Sequence, residues 1–487
     1  MTKNESSGLY AAFKAKDARF DGRFFVGVSS TGIYCRPVCH ARMPKAENCT
    51  YYATAAEAES AGYRPCLLCR PELAPGTSVT DASSSLARRA ARLLEENCGG
   101  GAGLEELAGR LGCTGRHLRR VFAAEYNVSP MQYLQTCRLL LAKNLLTETR
   151  LPILEVAMAS GFGSLRRFNS LFKKQYRLSP TSLRRQAAGG GGAGEITLAL
   201  GYRPPYLWER MLEFLGGRVI PGVEAVRDGE YWRTVRLADG AGKVTYGWIR
   251  VGNAPDRNVL TVTASASLIS VLPRVLARVR RLFDLSCDPA AVYEALSGMN
   301  DVRPGLCVPG TRLPGCFDPF EMAVRAVLGQ QITVKAARTL AARLVAAYGT
   351  PVETGVGGLT HVFPSPADII ASEGEISGHL GPLGIISARA RTILALAHSF
   401  EEGGIDFELC ADPEAEMKKL MSIPGIGSWT AKYIAMRTME WPDAFLETDA
   451  GIKKALAPRP VREMLAISEA WRPWRSYATI NLWNSEN

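Results

Sequence analysis

Long apolar runs are missing from this sequence. No stretch of the 487 residues approaches the ~18 uninterrupted apolar side chains of a membrane span, which argues against a helical membrane protein. The opening residues, MTKNESSGLYAAFKAK, lack the apolar centre of a signal peptide, so a cytoplasmic, bacterial location is expected. Acidic side chains are missing from residues 156–188, which carry seven basic ones. A disulfide framework is not expected either: of the 12 cysteines only four stand in tight pairs, and in a cytoplasmic chain such pairs point to a metal.

What is present is enough apolar surface for several cores. With 47% hydrophobic and 22% charged residues the chain is globular. At roughly 100–200 residues per domain, its length predicts three or four domains. Charge is lopsided: residues 1–188 hold 27 basic and 15 acidic side chains, residues 189–487 hold 31 and 32. A basic front half points to a polyanionic partner, double-stranded DNA, although a solvated basic face has the same composition.

Punctuation divides the chain. Pro71, Pro75 and Gly76 end a cysteine-bearing segment, and AAGGGGAG at 187–194 reads as a flexible linker. The expected architecture is multidomain α+β. A small four-cysteine zinc domain (1–76) is followed by an all-α tandem helix-turn-helix domain (80–187) and the linker (188–194). An α+β subdomain (195–272), where Tyr231–Val235 and Val259–Ala266 alternate as strands, precedes an all-α helix-hairpin-helix domain (273–487).

Cys35-x3-Cys39 and Cys66-x2-Cys69 have the spacing of one tetrahedral Zn²⁺ per chain, with Zn–S near ~2.3 Å. A purely structural zinc ribbon shows the same spacing. Arg36, Arg42 and Arg70 beside the thiolates are expected to offset their charge and meet DNA. Between 104 and 180 a repeat is visible, LEELAGRLGCTGRHLRRVFAAEYNVSP and ILEVAMASGFGSLRRFNSLFKKQYRLSP. Each copy pairs a short helix with a second, basic one, the grammar of helix-turn-helix; a plain four-helix bundle is the alternative. Gly115–Ala124 and Ser164–Lys174 are the expected recognition helices, with Arg119, Arg120, Arg166, Arg167 and Lys173 on DNA. The segment resembles AraC-type regulators.

DGRFFVGVSSTGIYCRPVCHAR and ENCTYYATAAEAESAGYRPCLLCRPEL resemble the zinc domain of the Ada family of alkylation-response regulators across residues 8–75. That resemblance implies irreversible methyl transfer from a DNA methylphosphotriester to Cys35, followed by stronger promoter binding and activation with RNA polymerase. The family's second acceptor motif, Pro-Cys-His-Arg, is missing, so direct guanine repair is not expected.

Further on, LMSIPGIGSWTAKYIAMR has the form of a helix-hairpin-helix in which Gly425 and Gly427 let a DNA phosphate approach backbone N–H groups. Trp429 and Tyr433 stand four apart and share a helix face, and Asp449 follows in FLETDAGIKK, where a simple N-cap is its other reading. With GYRPPYLWERMLEFLGGR, RRLFDLSCDP, RPGLCVPG, FEMAVRAVLGQQITV and WRPWRSYATINLW, residues 196–487 resemble the AlkA family of 3-methyladenine DNA glycosylases. The resemblance implies a TBP-like fold for the α+β subdomain and base flipping with Asp449 as the catalytic carboxylate. It places Trp429, Tyr433, Trp483 and Phe214 around the base and Gln331 where these enzymes insert an apolar wedge. Trp429 occupies the place of the Schiff-base lysine in bifunctional relatives, so hydrolysis without strand cleavage is expected. No cysteine follows Cys410, which excludes a C-terminal iron-sulfur cluster. The whole is expected to be a nucleoid-associated monomer. Its alternatives are a regulator whose glycosylase-like part only binds DNA, and a glycosylase whose front half is only a targeting clamp.

Overall fold

Strands β1 (Phe25–Val28), β2 (Ile33–Cys35), β3 (Cys49–Tyr52) and β4 (Arg64–Pro65) make a small sheet of order β3-β1-β2-β4 in a computed structural model of the chain. That structure describes residues 3–75, 85–100, 103–186, 194–239, 242–372, 374, 376–407, 410 and 412–485. The period-two alternation of β1 sends Phe24 and Val26 to one face, against Phe13 and the cysteines, and Phe25 to the other, against Tyr34 and Ala58. The expected linker lies almost wholly outside the described residues, which resume at Gly194.

The chain packs as two compact units, the first comprising Met1–Pro204, Arg236–Ala277 and Leu285–Cys287, and the second the remainder. In the first unit the two copies of the repeat fold alike. Helices Leu104–Arg110 and Gly115–Tyr126 are matched by Ile153–Ala159 and Leu165–Tyr176. Each second helix begins at a hydroxyl cap, Thr114 or Ser164, and ends at a left-handed residue, Asn127 or Arg177. Phe122 with Tyr126, and Phe172 with Tyr176, form the buried stripe of each. Ser129 then caps helix Pro130–Glu148 with a capping box.

That long helix is tied to the cysteine module by buried polar pairs. Lys143 and Glu72, 1% and 3% exposed, form an ion pair, and Arg70 bonds to Glu148, Asn144 (3.1 Å) and Thr147 (3.2 Å). Removing one member of such a pair strands the other in a low-dielectric site, so the contact fixes the two modules in one arrangement. Strands β5 (Glu195–Gly201), β6 (Glu224–Arg227), β7 (Glu230–Ala238), β8 (Val244–Ala254) and β9 (Val259–Ser265) follow, in the order β5-β9-β8-β7-β6. β5 passes so close to the cysteine module that a Cβ on Gly201 would lie 1.8 Å from the Leu73 carbonyl oxygen; only glycine fits.

In the second unit helix Pro319–Leu328 is apolar nearly all round and sits in the main core with Ile393, Leu396, Ile434 and Ala435. Its two buried charges, Glu321 and Arg325, close a cluster with Glu224 and Arg233. Among the described residues no helix is long and apolar enough to cross a membrane.

Glu59 is fully buried between the cysteine module and helix Pro130–Glu148, where Tyr34 Oη (3.1 Å) and Thr136 Oγ1 (3.0 Å) donate to it. Burial raises its pKa from 4.5 to about 8, against the lowering effect of Thr136, Tyr34 and Lys143. The folded state therefore holds a proton that the unfolded chain releases, and this stability is lost as pH rises from about 4.5 to about 8. Glu59→Gln keeps the shape and removes the titration. Urea midpoints of the variant should fall less than those of the wild type over that range.

Candidate metal centre and aromatic pocket

Cys35 ends β2, and the Cys66 N–H donates to the Tyr34 carbonyl, so the strand register brings the two cysteine pairs together. The four Sγ atoms of Cys35, Cys39, Cys66 and Cys69 lie within 4.8 Å of one another. Backbone N–H groups aim at three of them: Arg36 N donates to Cys69 Sγ (3.3 Å), Ala41 N to Cys39 Sγ (3.5 Å), and Cys69 N to Cys66. Among the described residues none reaches Cys35, whose sulfur has only the other three sulfurs as polar partners. Hydrogen bonds from Cys39, Cys66 and Cys69 push the Cys35 thiol far up, so the four cannot ionise together without a cation. Four converging sulfurs with N–H support fit one Zn²⁺ per chain.

Two neighbouring arginines are not where the sequence reading puts them. Arg36 is buried on Asp21 and donates to the Cys69 carbonyl (3.0 Å), and Arg70 is committed to Glu72 and Glu148. They brace the module instead of facing DNA, because carboxylates distant in sequence capture them. Arg42 is exposed, as are Arg119, Arg120, Arg166, Arg167 and Lys173 on the two second helices. Arg119 makes a surface pair with Glu105.

In the second unit a cavity of about 1200 Å³ is lined by Asp449, Trp429, Tyr433, Trp483, Gln331, Gly425 and Gly427. Asp449 caps helix Ala450–Ala455, with Oδ1 accepting from Gly451 N (2.9 Å) and Ile452 N (3.2 Å). Two indoles complete its shell: Trp483 Nε1 donates to Oδ1 (2.8 Å) and Trp429 Nε1 to Oδ2 (3.2 Å). The carboxylate is thus both a cap and the one acid at the centre of an aromatic slot. Trp429 stacks on Tyr433 (5.3 Å, 9°), and Phe214 stacks behind Trp483 (6.3 Å, 20°).

The hairpin joins helices Pro413–Ser422 and Ser428–Thr438. Its turn is pinned from two sides: Thr392 Oγ1 donates to the Pro424 carbonyl (2.8 Å) and the Gln330 side-chain amide to that of Gly425 (2.8 Å). Gly425 sits at φ +93° where a Cβ would strike Thr392 Oγ1 at 2.1 Å, while open space surrounds Gly427. Gln331 is exposed at φ 56°. Lys432 is held by Glu447 (2.6 Å).

The sequence reading missed Arg218 and Arg437. Arg437 NH1 donates to the Tyr433 hydroxyl (2.7 Å), and Arg218 lies 3.7 Å above the Phe214 ring. Burial alone raises the Tyr433 phenol; Arg437, Arg218 and Arg325 outweigh it and bring the pKa down. Each stands four residues after an aromatic of the slot, Arg437 after Tyr433 and Arg218 after Phe214, and that spacing was a legible local signal.

Comparison with known proteins connects these sites. Residues 8–72 match the metal binding domain of Ada, 107–186 a helix-turn-helix domain, and 197–318 the AlkA N-terminal domain. The probable bifunctional transcriptional activator/DNA repair enzyme AlkA of Mycobacterium tuberculosis is 41% identical over 98% of this chain and 95% of its own length. The chain belongs to this family of fused Ada- and AlkA-type proteins. DNA-3-methyladenine glycosylase 2 of Escherichia coli is 37% identical over 59% of the chain and 96% of its own length. The bifunctional transcriptional activator/DNA repair enzyme Ada of Escherichia coli is 39% identical over 26% of the chain and 34% of its own length. This Ada–AlkA fusion is therefore a DNA-binding, bifunctional repair enzyme and transcriptional activator, combining a glycosylase part with a zinc-binding methyl-acceptor part.

The purified protein should carry one equivalent of zinc per chain, read by elemental analysis, and Cys39→Ser should lose most of it.

Proposed function

We propose that the second unit excises alkylated bases such as 3-methyladenine from DNA by hydrolysis of the N-glycosyl bond. The observation that carries this reading is the double indole clamp on Asp449. Four N–H bonds hold both carboxylate oxygens in place, so the group acts through a fixed position beside the slot. A nucleotide flipped from the duplex places its electron-poor base against Trp429, Tyr433 and Trp483, with Phe214 behind. As the C1′–N bond breaks, its electron pair leaves with the base and Asp449 stabilises the positive charge left on the sugar; water then adds at C1′. Lys432, neutralised by Glu447, is not free to form a Schiff base, which supports release without strand cleavage. Gly425 and Gly427 would receive a backbone phosphate, and the exposed Gln331 would fill the gap in the duplex.

In the front half Cys35 is the methyl acceptor of this reading. A thiolate without N–H donors keeps its lone pairs for attack, whereas the other three sulfurs accept N–H bonds. Bound zinc would keep the cysteines ionised at neutral pH. Cys35 attacks the methyl carbon of a DNA methylphosphotriester, the C–O bond breaks, and the electron pair returns to the phosphate as a diester oxygen. One sulfur loses its negative charge, which lowers repulsion from DNA and favours promoter binding through Arg42, Arg119, Arg120, Arg166, Arg167 and Lys173. Activation then proceeds with RNA polymerase, and the protein acts as a monomer in the bacterial cytoplasm, associated with the nucleoid. The functional domains are 1–76, 80–187, 195–272 and 273–487.

Asp449→Asn retains the helix cap and removes the charge. It should abolish release of 3-methyladenine from a duplex, by about a hundredfold or more, while duplex binding persists; a variant releasing base at the wild-type rate would sink the assignment. Mass spectrometry of protein incubated with methylated DNA should place a single methyl group on Cys35, and a methyl on the more exposed Cys69 would reassign the acceptor.

A further inference from the structure

The two copies of the repeat are joined by one long element, helix Pro130–Glu148, whose 19 residues span about 28 Å at ~1.5 Å per residue. Bending of a helix that long moves the two recognition helices, Gly115–Tyr126 and Leu165–Tyr176, relative to each other. A brace from the side would hold them, and the cysteine module supplies one.

Its short helix Ala55–Ser60 starts at the Thr54 cap and packs on helix Pro130–Glu148. On it, Glu57 Oε1 accepts from the side-chain amide of Asn127 (3.1 Å), the left-handed residue that ends the first recognition helix. Glu57 Oε2 is held by the Ala53 N–H (2.7 Å), which fixes the orientation of the carboxylate. Two residues on, the buried Glu59 accepts from Thr136 in the connecting helix. The Tyr63 carbonyl then accepts from the side-chain amide of Gln175 (3.1 Å), in the last turn of the second recognition helix. Tyr176 beside it is buried, and Glu59 and Glu72 add to the burial that drives its phenol pKa up, so its ring end lies in the same interface. One short segment, 57–63, thus touches both recognition helices and the element between them. It does so at their C-terminal ends, and Arg119, Arg120, Arg166, Arg167 and Lys173 stay exposed.

We propose that the cysteine module is the spacing element of the promoter reader: by fixing the two recognition helices against each other through Glu57 and Tyr63, it restricts binding to duplex DNA with two half-sites at a single separation. This inference rests on the reading of the tandem helices as promoter contacts. It gives the module a part in recognition that needs neither contact with DNA nor methyl transfer. On B-DNA one base pair added between half-sites shifts the second by ~3.4 Å and turns it by ~34°. A braced pair of helices cannot follow that change, whereas an unbraced pair recovers part of it as the connecting helix bends.

The test uses the full-length, zinc-loaded protein at low ionic strength, where attraction to phosphates is strongest. Wild type first selects its sites from a pool of random duplexes. Affinities are then measured on duplexes in which the separation of the selected half-sites changes one base pair at a time. The double variant Asn127→Gly, Gln175→Met removes both amides while keeping the left-handed cap and the helix. One added base pair should cost the wild type about tenfold in affinity and the double variant about threefold or less, with a lower peak for the variant at the selected separation. Zinc content and helical circular dichroism report that the variant is folded. An equally steep spacing profile in the variant, a uniform loss at every separation, or a wild type that selects one half-site or ignores their spacing would each overturn the role of the brace. A wild type that selects no sequence would overturn the promoter reading beneath it.

Discussion

The buried pair of Lys143 and Glu72 is the constraint on which the arrangement of the first unit rests. Burial alone would drive the Glu72 carboxyl up, yet Lys143 and Arg70 bring it below the ordinary range, so it remains charged in the interior. It sits in the short segment running from the metal ligand Cys69 through Arg70 to Leu73. Arg70 grips the end of helix Pro130–Glu148, Glu72 grips its middle, and the Leu73 carbonyl meets β5 at Gly201. Five residues thus touch the metal centre, the helix-turn-helix domain and the first strand of the AlkA-type part. Losing Lys143 would leave the buried Glu72 carboxylate to Arg70 alone and weaken the hold of this segment on the long helix.

Hydrogen-bond supply sets the chemistry at both sites in opposite directions. Around Asp449 two backbone and two indole N–H groups saturate the carboxylate and hold both its oxygens in place. Around Cys35 the N–H groups go to the other three sulfurs, which leaves one sulfur electron-rich. A group that stabilises charge in place needs donors, and a group that forms a bond needs them withheld. One chain meets both demands by placing the first at a helix N-terminus and the second at the end of a strand.

Much of this was legible in the sequence because its causes are local. Thr114, Ser164 and Ser129 announce helix starts by their own side chains, and the four-residue spacing of Trp429 and Tyr433 becomes a stacked pair. Tyr231–Val235 and Val259–Ala266, read as strands from alternation, lie in β7 and β9. Where causes are distant, sequence reading falters. Arg36 and Arg70 stand beside cysteines and read as outward cations, but Asp21 and Glu148 take them from 15 and 78 positions away. Trp483 and Phe214 were reached only through family resemblance, since nothing near either residue says that one stacks on the other. Arg218 was missed although it stands four residues after Phe214, because its approach to the Tyr433 hydroxyl exists only once the fold has brought the two segments together.

The close contact of β5 with Leu73 has a kinetic side. A glycosylase searching a chromosome alone spends most of its time dissociating and rebinding at random. Here the first strand of the AlkA-type part, β5, packs against the segment that follows the metal ligand Cys69. Each promoter-bound molecule then carries a repair module on the same chain, at an effective concentration set by covalent connection, not by copy number. Damage close to the activated genes would be met first, and the rest of the chromosome would be scanned by the molecules left over.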